Sequence, residues 1–218
     1  MLKKYQSGVT LLELMIALLV STFVVAALVG LFFMAGRHNE STLEITKLDA
    51  ELNLVINSMA RDVQRAGYWA NSSSSSTNPF MQTGTTDLTV VGGNCVLMTY
   101  DHDADGSLPG VGTGTDDERY GYRLVNGAIQ YRPSGASFSC NAAADAWTNL
   151  TDNRIITITA FVLTLDTQSA DIDGAGSGTS TMEIRKLNVT ISGRLVGDAS
   201  VTRSLTKTIK LYNDKYVP

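Results

Sequence analysis

Cysteine and histidine are scarce in this chain, with two of each among 218 residues. Cys95 and Cys140 form no CxxC pair, and only His38 and His102 could join them, so a zinc centre is not expected. A basic excess is also missing: 17 lysines and arginines stand against 21 aspartates and glutamates, for a net charge of −4. A general nucleic-acid binder needs a basic patch, so no nucleic-acid partner is expected. There is no G-x-S-x-G nucleophile elbow, and His102 has no evident serine partner in the sequence. Gly110-Val111-Gly112-Thr113-Gly114 lacks the spacing of a phosphate loop. No catalytic residue and no enzymatic activity are expected. Charged residues make up only 17% of the chain, and Thr, Ser and Gly are common, which suits a β-rich domain outside the cytoplasm.

The N-terminus carries the strongest pattern. Lys3 and Lys4 precede Gly8, and Val9–Met34 then has one ionisable side chain, Glu13. At a rise of ~1.5 Å per residue this run is about 39 Å long as a helix, enough to span a bilayer with tilt. The lysines ahead of it keep the leader cytoplasmic and send the C-terminal bulk outward. Glu13 is costly there, by roughly 2.5 kcal/mol or more without a partner. A cut after Gly8 would give Val9 a free amine at the same membrane level, and Glu13 of one subunit could pair with that amine on a neighbour.

The segment Gly8-Val9-Thr10-Leu11-Leu12-Glu13-Leu14, followed by the apolar run, resembles the class III signal of type IV prepilins and pseudopilins. The resemblance implies cleavage between Gly8 and Val9 by an inner-membrane prepilin peptidase, with N-methylation of the new terminus. Val9 stands where phenylalanine is commonest in the family.

Beyond the span, Ile45, Leu48, Leu52, Val55, Met59 and Val63 recur at three and four residues, which predicts an amphipathic helix. Glu40, Glu44, Lys47, Glu51, Arg61 and Arg65 mostly fall on its other faces, and Gly67 is the expected stop. Gly30 and Gly36 are weak points within the helix, each costing up to about 1 kcal/mol relative to alanine. Asn71–Pro79 reads as a serine-rich loop. Strands are expected at Leu88–Val91, Val96–Tyr100, Tyr120–Val125, Ala128–Arg132, Ile155–Leu165, Met182–Val196 and Ser200–Asn213. Asn126-Gly127 marks a hairpin, while Ser134–Leu150 and Asp166–Thr181 read as loops. The order predicts an α+β fold: a long N-terminal helix, transmembrane in its first half, packed on a mainly antiparallel sheet. The expected divisions are a leader at 1–8, the membrane half of the helix at 9–34, its amphipathic half at 35–70 and a periplasmic β-rich domain at 71–218.

That topology places Cys95 and Cys140 where disulfides persist, and a bridge between them is expected. It would close a loop of about 46 residues, worth roughly 4 kcal/mol in the chain-entropy model. Asp101-His102-Asp103-Ala104-Asp105-Gly106 begins like an EF-hand calcium loop, but its twelfth position is Gly112 rather than Glu. Asp116, Asp117 and Glu118 could donate only from a distance. The expectation is a solvated turn, with calcium binding absent or weaker than about 10⁻⁴ M. Tyr68, Trp69 and Trp147 read as core or loop anchors.

Two further segments, RDVQRAGYWA (Arg61–Ala70) and YGYRLVNGAIQYR (Tyr120–Arg132), resemble the helix end and central hairpin of PilW-type minor pilins. That resemblance implies a pilin-like fold and a subunit that joins other minor pilins and the major pilin to initiate a type IV pilus at its tip. It also implies a single pass through the bacterial inner membrane. A J-type minor pseudopilin of type II secretion shares the signal and broad architecture and is the alternative. A K-type pseudopilin typically lacks the acid that Glu13 supplies.

Overall fold

The computed structural model describes residues 8–71, 77–111, 117–135, 137–141, 146–172, 174 and 180–218, with only the backbone described for 35–41. The leader lysines, the His38 and Glu40 side chains, most of the serine-rich loop, Gly112 and Asp116 therefore lie outside the described residues. The chain divides into two units, Met1–Thr46 and Lys47–Pro218.

Helix α1 covers Leu11–Arg65 and passes Gly30 without a break. In the first unit, Leu11–Met34 is apolar enough to cross a membrane by length and composition, and every residue from Gly8 to Met34 is exposed. Its polar side chains are satisfied within the helix: Ser21 Oγ donates to the Leu18 carbonyl at 2.9 Å and Thr22 Oγ1 to that of Leu19 at 2.8 Å. Such internal bonding suits hydrocarbon, where an unpaired polar group is expensive.

In the second unit the expected stripe is the core. Leu48, Leu52, Val55, Met59 and Val63 are fully buried, joined by Ile56, Ala60 and Ala66. At ~1.5–3 kcal/mol per buried large side chain, these five contribute on the order of 10 kcal/mol before chain entropy is counted. Glu51 departs from the polar-face reading: it is half-buried, and burial, with Asp152 nearby, raises its carboxyl.

The strands are antiparallel, as expected, and form two sheets. The first runs β1 (Thr89–Val91), β2 (Cys95–Thr99), β3 (Arg119–Val125), β4 (Ala128–Arg132) and β5 (Thr148–Asn149) in sequence order. Asn126 and Gly127 close the β3–β4 hairpin at φ 51° and 74°, the left-handed pair a two-residue turn requires. The second sheet holds β6 (Ile156–Asp171), β7 (Thr181–Leu195), β8 (Thr202–Lys210) and β9 (Lys215–Val217). β9 is not expected from the sequence, and β6 continues as strand from Asp166 to Asp171, where the composition reads as a loop. Pairing with Thr181–Lys186 carries this exposed stretch onward despite its turn-like composition. Likewise β5 lies in the segment read as a loop.

β2 is buried throughout, so its apolar run serves two faces. Val96 and Met98 join the core beneath α1, whereas Cys95 and Leu97 lie in a smaller cluster with Cys140, Phe138 and Trp147. The expected Cys95–Cys140 disulfide is present. Arg123 stacks its guanidinium 4.1 Å from the Trp147 ring and donates to the Cys140 carbonyl at 2.6 Å. Leu97 and Trp147 fill the space where a Gly121 side chain would stand. Cys95→Ser is therefore expected to cost about 2–5 kcal/mol, read as a lower urea midpoint for the full chain in detergent. A loss under about 1 kcal/mol would mean that stacking and hydrogen bonds hold this loop without the bridge.

α1 ends as expected before Gly67, whose φ of 75° suits glycine and whose amide donates to the Thr99 carbonyl at 2.8 Å. Asn213 Nδ2 donates to the carbonyls of Arg65 and Ala66, both at 3.1 Å, satisfying the last turn. Asp62 fixes the helix against the first sheet: it accepts from the Tyr122 hydroxyl at 2.6 Å and the Tyr100 hydroxyl at 3.2 Å. Burial, reinforced by the Asp62 carboxylate, holds both phenols far above their ordinary range and pushes Tyr131 up to about 12.

Candidate processing and assembly site

The N-terminal segment is built as a helix start. Thr10 occupies the N-cap position and Glu13 lies three residues on. The Glu13 amide donates to Thr10 Oγ1 at 3.3 Å, while Glu13 Oε2 accepts from the Thr10 amide and hydroxyl, both at 3.2 Å. This is a capping box, in which two unpaired amides of the first turn are satisfied reciprocally. The helix dipole also favours an anion at this end.

Sequence reasoning assigned Glu13 to a neighbour's amine and missed this local role. The signal was legible as Thr-x-x-Glu before an apolar run. The box offsets part of the cost of a carboxylate in a membrane helix. It also keeps the charge one turn from Val9, whose ammonium would exist after cleavage. Gly8, Val9 and Thr10 are exposed, and the space around a Gly8 Cβ is open for 4 Å. Gly8 and Val9 thus stand exposed ahead of the helix.

The other predicted residues belong to the second unit. Asp101, Asp103 and Asp105 each offer a carboxylate oxygen within 4.8 Å of the others. Of their possible distant helpers, Asp117 is taken up by Arg132, at 2.9 Å between Oδ2 and Nη2 with both side chains buried, and by the amides of Arg119 and Gly135. Glu118 instead reaches this loop, accepting from the His102 amide at 2.6 Å. His102 packs edgewise on Tyr100 and Tyr120, at 6.3 and 6.4 Å between ring centroids. Trp69 is a loop anchor, donating from Nε1 to the Gly106 carbonyl at 2.9 Å. Tyr68, expected as an anchor, is 43% exposed and lines a depression with Arg65, Tyr100, Asp101 and His102.

Comparison with known families agrees with both parts of the chain. The prokaryotic N-terminal methylation motif matches residues 3–29, and the model described as prepilin peptidase-dependent protein B matches residues 41–211. No curated protein and no solved structure matches the chain. Pilin-type families are structural, and the motif implies processing by prepilin peptidase and assembly with other pilins. An exposed apolar helix headed by that motif fits a single-pass inner-membrane pilin. The chain belongs to the prepilin peptidase-dependent protein B family and is a prepilin-like protein of the pilin or pseudopilin type.

Proposed function

We propose that this chain is a minor pilin of the PilW type, which helps initiate type IV pilus assembly and stays at the tip. Prepilin peptidase removes the leader after Gly8, and the C-terminal domain stands in the periplasm until assembly. The reading rests chiefly on one observation: the apolar surface of Leu11–Met34 is exposed on every side, with a carboxylate held at its first turn. Lipid covers such a surface in the precursor, and the helices of neighbouring pilins cover it in a fibre. Glu13 favours the fibre because a neighbour's Val9 ammonium can pair with it there. The mechanism is non-catalytic, and the partners are the major pilin and other minor pilins.

Deleting the gene and counting surface pili tests this role. A primer present in few copies predicts far fewer pili of unchanged composition. Normal pilus number with loss of protein secretion would instead identify a J-type minor pseudopilin.

A further inference from the structure

The loop after β2 carries a feature that neither fold nor assembly accounts for. Asp101 is 3% exposed. Its Oδ2 accepts from the Ala70 amide at 2.9 Å and the Gly106 amide at 3.0 Å, whereas its Oδ1 is buried with no hydrogen-bond partner among the described residues. An unsatisfied carboxylate oxygen in the interior is costly, and native structures rarely keep one without a reason. Two further carboxylates stand beside it, from Asp103 and Asp105. Among the described residues no ion pair neutralises any of the three. Like charges within 4.8 Å repel, so the clustered carboxylates, like the orphaned oxygen, favour a cation.

We infer that Asp101, Asp103 and Asp105 form a calcium site, completed by backbone and solvent oxygens. The buried Asp101 Oδ1 supplies the second, independent reason beyond the acidic cluster. The order of donors also fits a hard cation: carboxylates at the first, third and fifth positions, a glycine at the sixth, and the Ser107 carbonyl at the seventh. Gly106 makes the sharp turn at φ 76°, where a side chain would strike Asn71. Asp103 Oδ1 accepts from the Asp105 amide at 3.0 Å and Asp105 Oδ1 from the Ser107 amide at 2.7 Å. Each of these exposed carboxylates keeps an oxygen for the ion. The twelfth-position glutamate of an EF-hand is missing, which places the affinity among extracellular modules, at about 10⁻⁴–10⁻³ M.

The ion would brace a joint. The Asp101 amide donates to the Tyr68 carbonyl at 3.0 Å, and Asp101 Oδ2 holds the Ala70 amide, so the loop grips the chain as it leaves α1. Calcium binding at Asp101 therefore ties the helix end to β2.

The test is calorimetric titration of the full chain in detergent with calcium chloride. The expected result is one ion per chain, with a Kd of about 10⁻⁴–10⁻³ M. Asp103→Asn and Asp105→Asn, both at exposed positions, should weaken it at least tenfold. Terbium gives a second readout, because Trp69 is bonded to this loop: indole-sensitised terbium emission should appear and be displaced by calcium. No saturable calcium binding up to about ten times that Kd range, or binding indifferent to both variants, overturns the site.

Discussion

Asp117→Ala is expected to destabilise the domain by about 3–5 kcal/mol, because it strands a buried guanidinium. Arg132 and Asp117 are both fully enclosed, with Nη2 to Oδ2 at 2.9 Å and Nη1 to Oδ1 at 3.2 Å. Asp117 also accepts from the amides of Arg119 at 3.0 Å and Gly135 at 2.9 Å. Arg132 donates in addition to the carbonyls of Arg119 and Ser137. The pair therefore ties the start of β3 to the end of β4 and to the loop beyond. Removing the carboxylate alone leaves the Arg132 charge desolvated, which costs more than the pair itself contributes. Urea unfolding followed by tryptophan fluorescence checks this. A midpoint within about 1 kcal/mol of wild type would show that water reaches Arg132 once Asp117 is gone. Asp117→Leu combined with Arg132→Met should be milder than the single change, since it does not leave the Arg132 charge unpaired.

None of that network was readable in the sequence, where Asp117 was only a distant candidate metal ligand. Ion pairing between residues 15 apart depends on hairpin register, and no local pattern encodes it. The same holds for Asp87, which receives Arg185 at 2.5 Å and Lys215 at 2.6 Å from strands of the other sheet. What periodicity can report was legible. The stripe from Leu48 to Val63 is the buried face, Gly67 ends the helix, and Asn126-Gly127 turns the hairpin. Division into two sheets was not legible, because side-chain alternation says which residues face inward but not which strands share a ladder. β9 was missed for a related reason: Lys215–Val217 is too short to signal itself and is held by Thr181–Glu183 on β7. In the N-terminal segment the structure adds Thr10 as the partner of Glu13 in the first turn.

That partner sharpens the second large effect. Glu13 caps its own helix, and under the proposed function it has a second, separable duty, offering a charge to a neighbour. Glu13→Ala removes both. Glu13→Gln keeps a side chain able to close the capping box with Thr10, because glutamine serves at that position. Either change makes insertion easier, since an expensive charge leaves the membrane helix. Both variants should therefore be inserted and cleaved after Gly8. If the charge acts only in the fibre, Glu13→Gln should fail at incorporation as fully as Glu13→Ala. A pairing worth about 1.4 kcal/mol already corresponds to a tenfold loss. If capping is the only duty, the alanine variant alone should suffer.

As an assembly subunit, this chain would use its Glu13 charge between subunits. The most direct measurement is the ratio of the protein in sheared surface pili to that in membranes, for wild type, Glu13→Ala and Glu13→Gln. The account predicts a ratio at least about tenfold lower in both variants, with the membrane forms normally cleaved. A wild-type ratio for Glu13→Gln would contradict it and leave Glu13 as a helix cap alone.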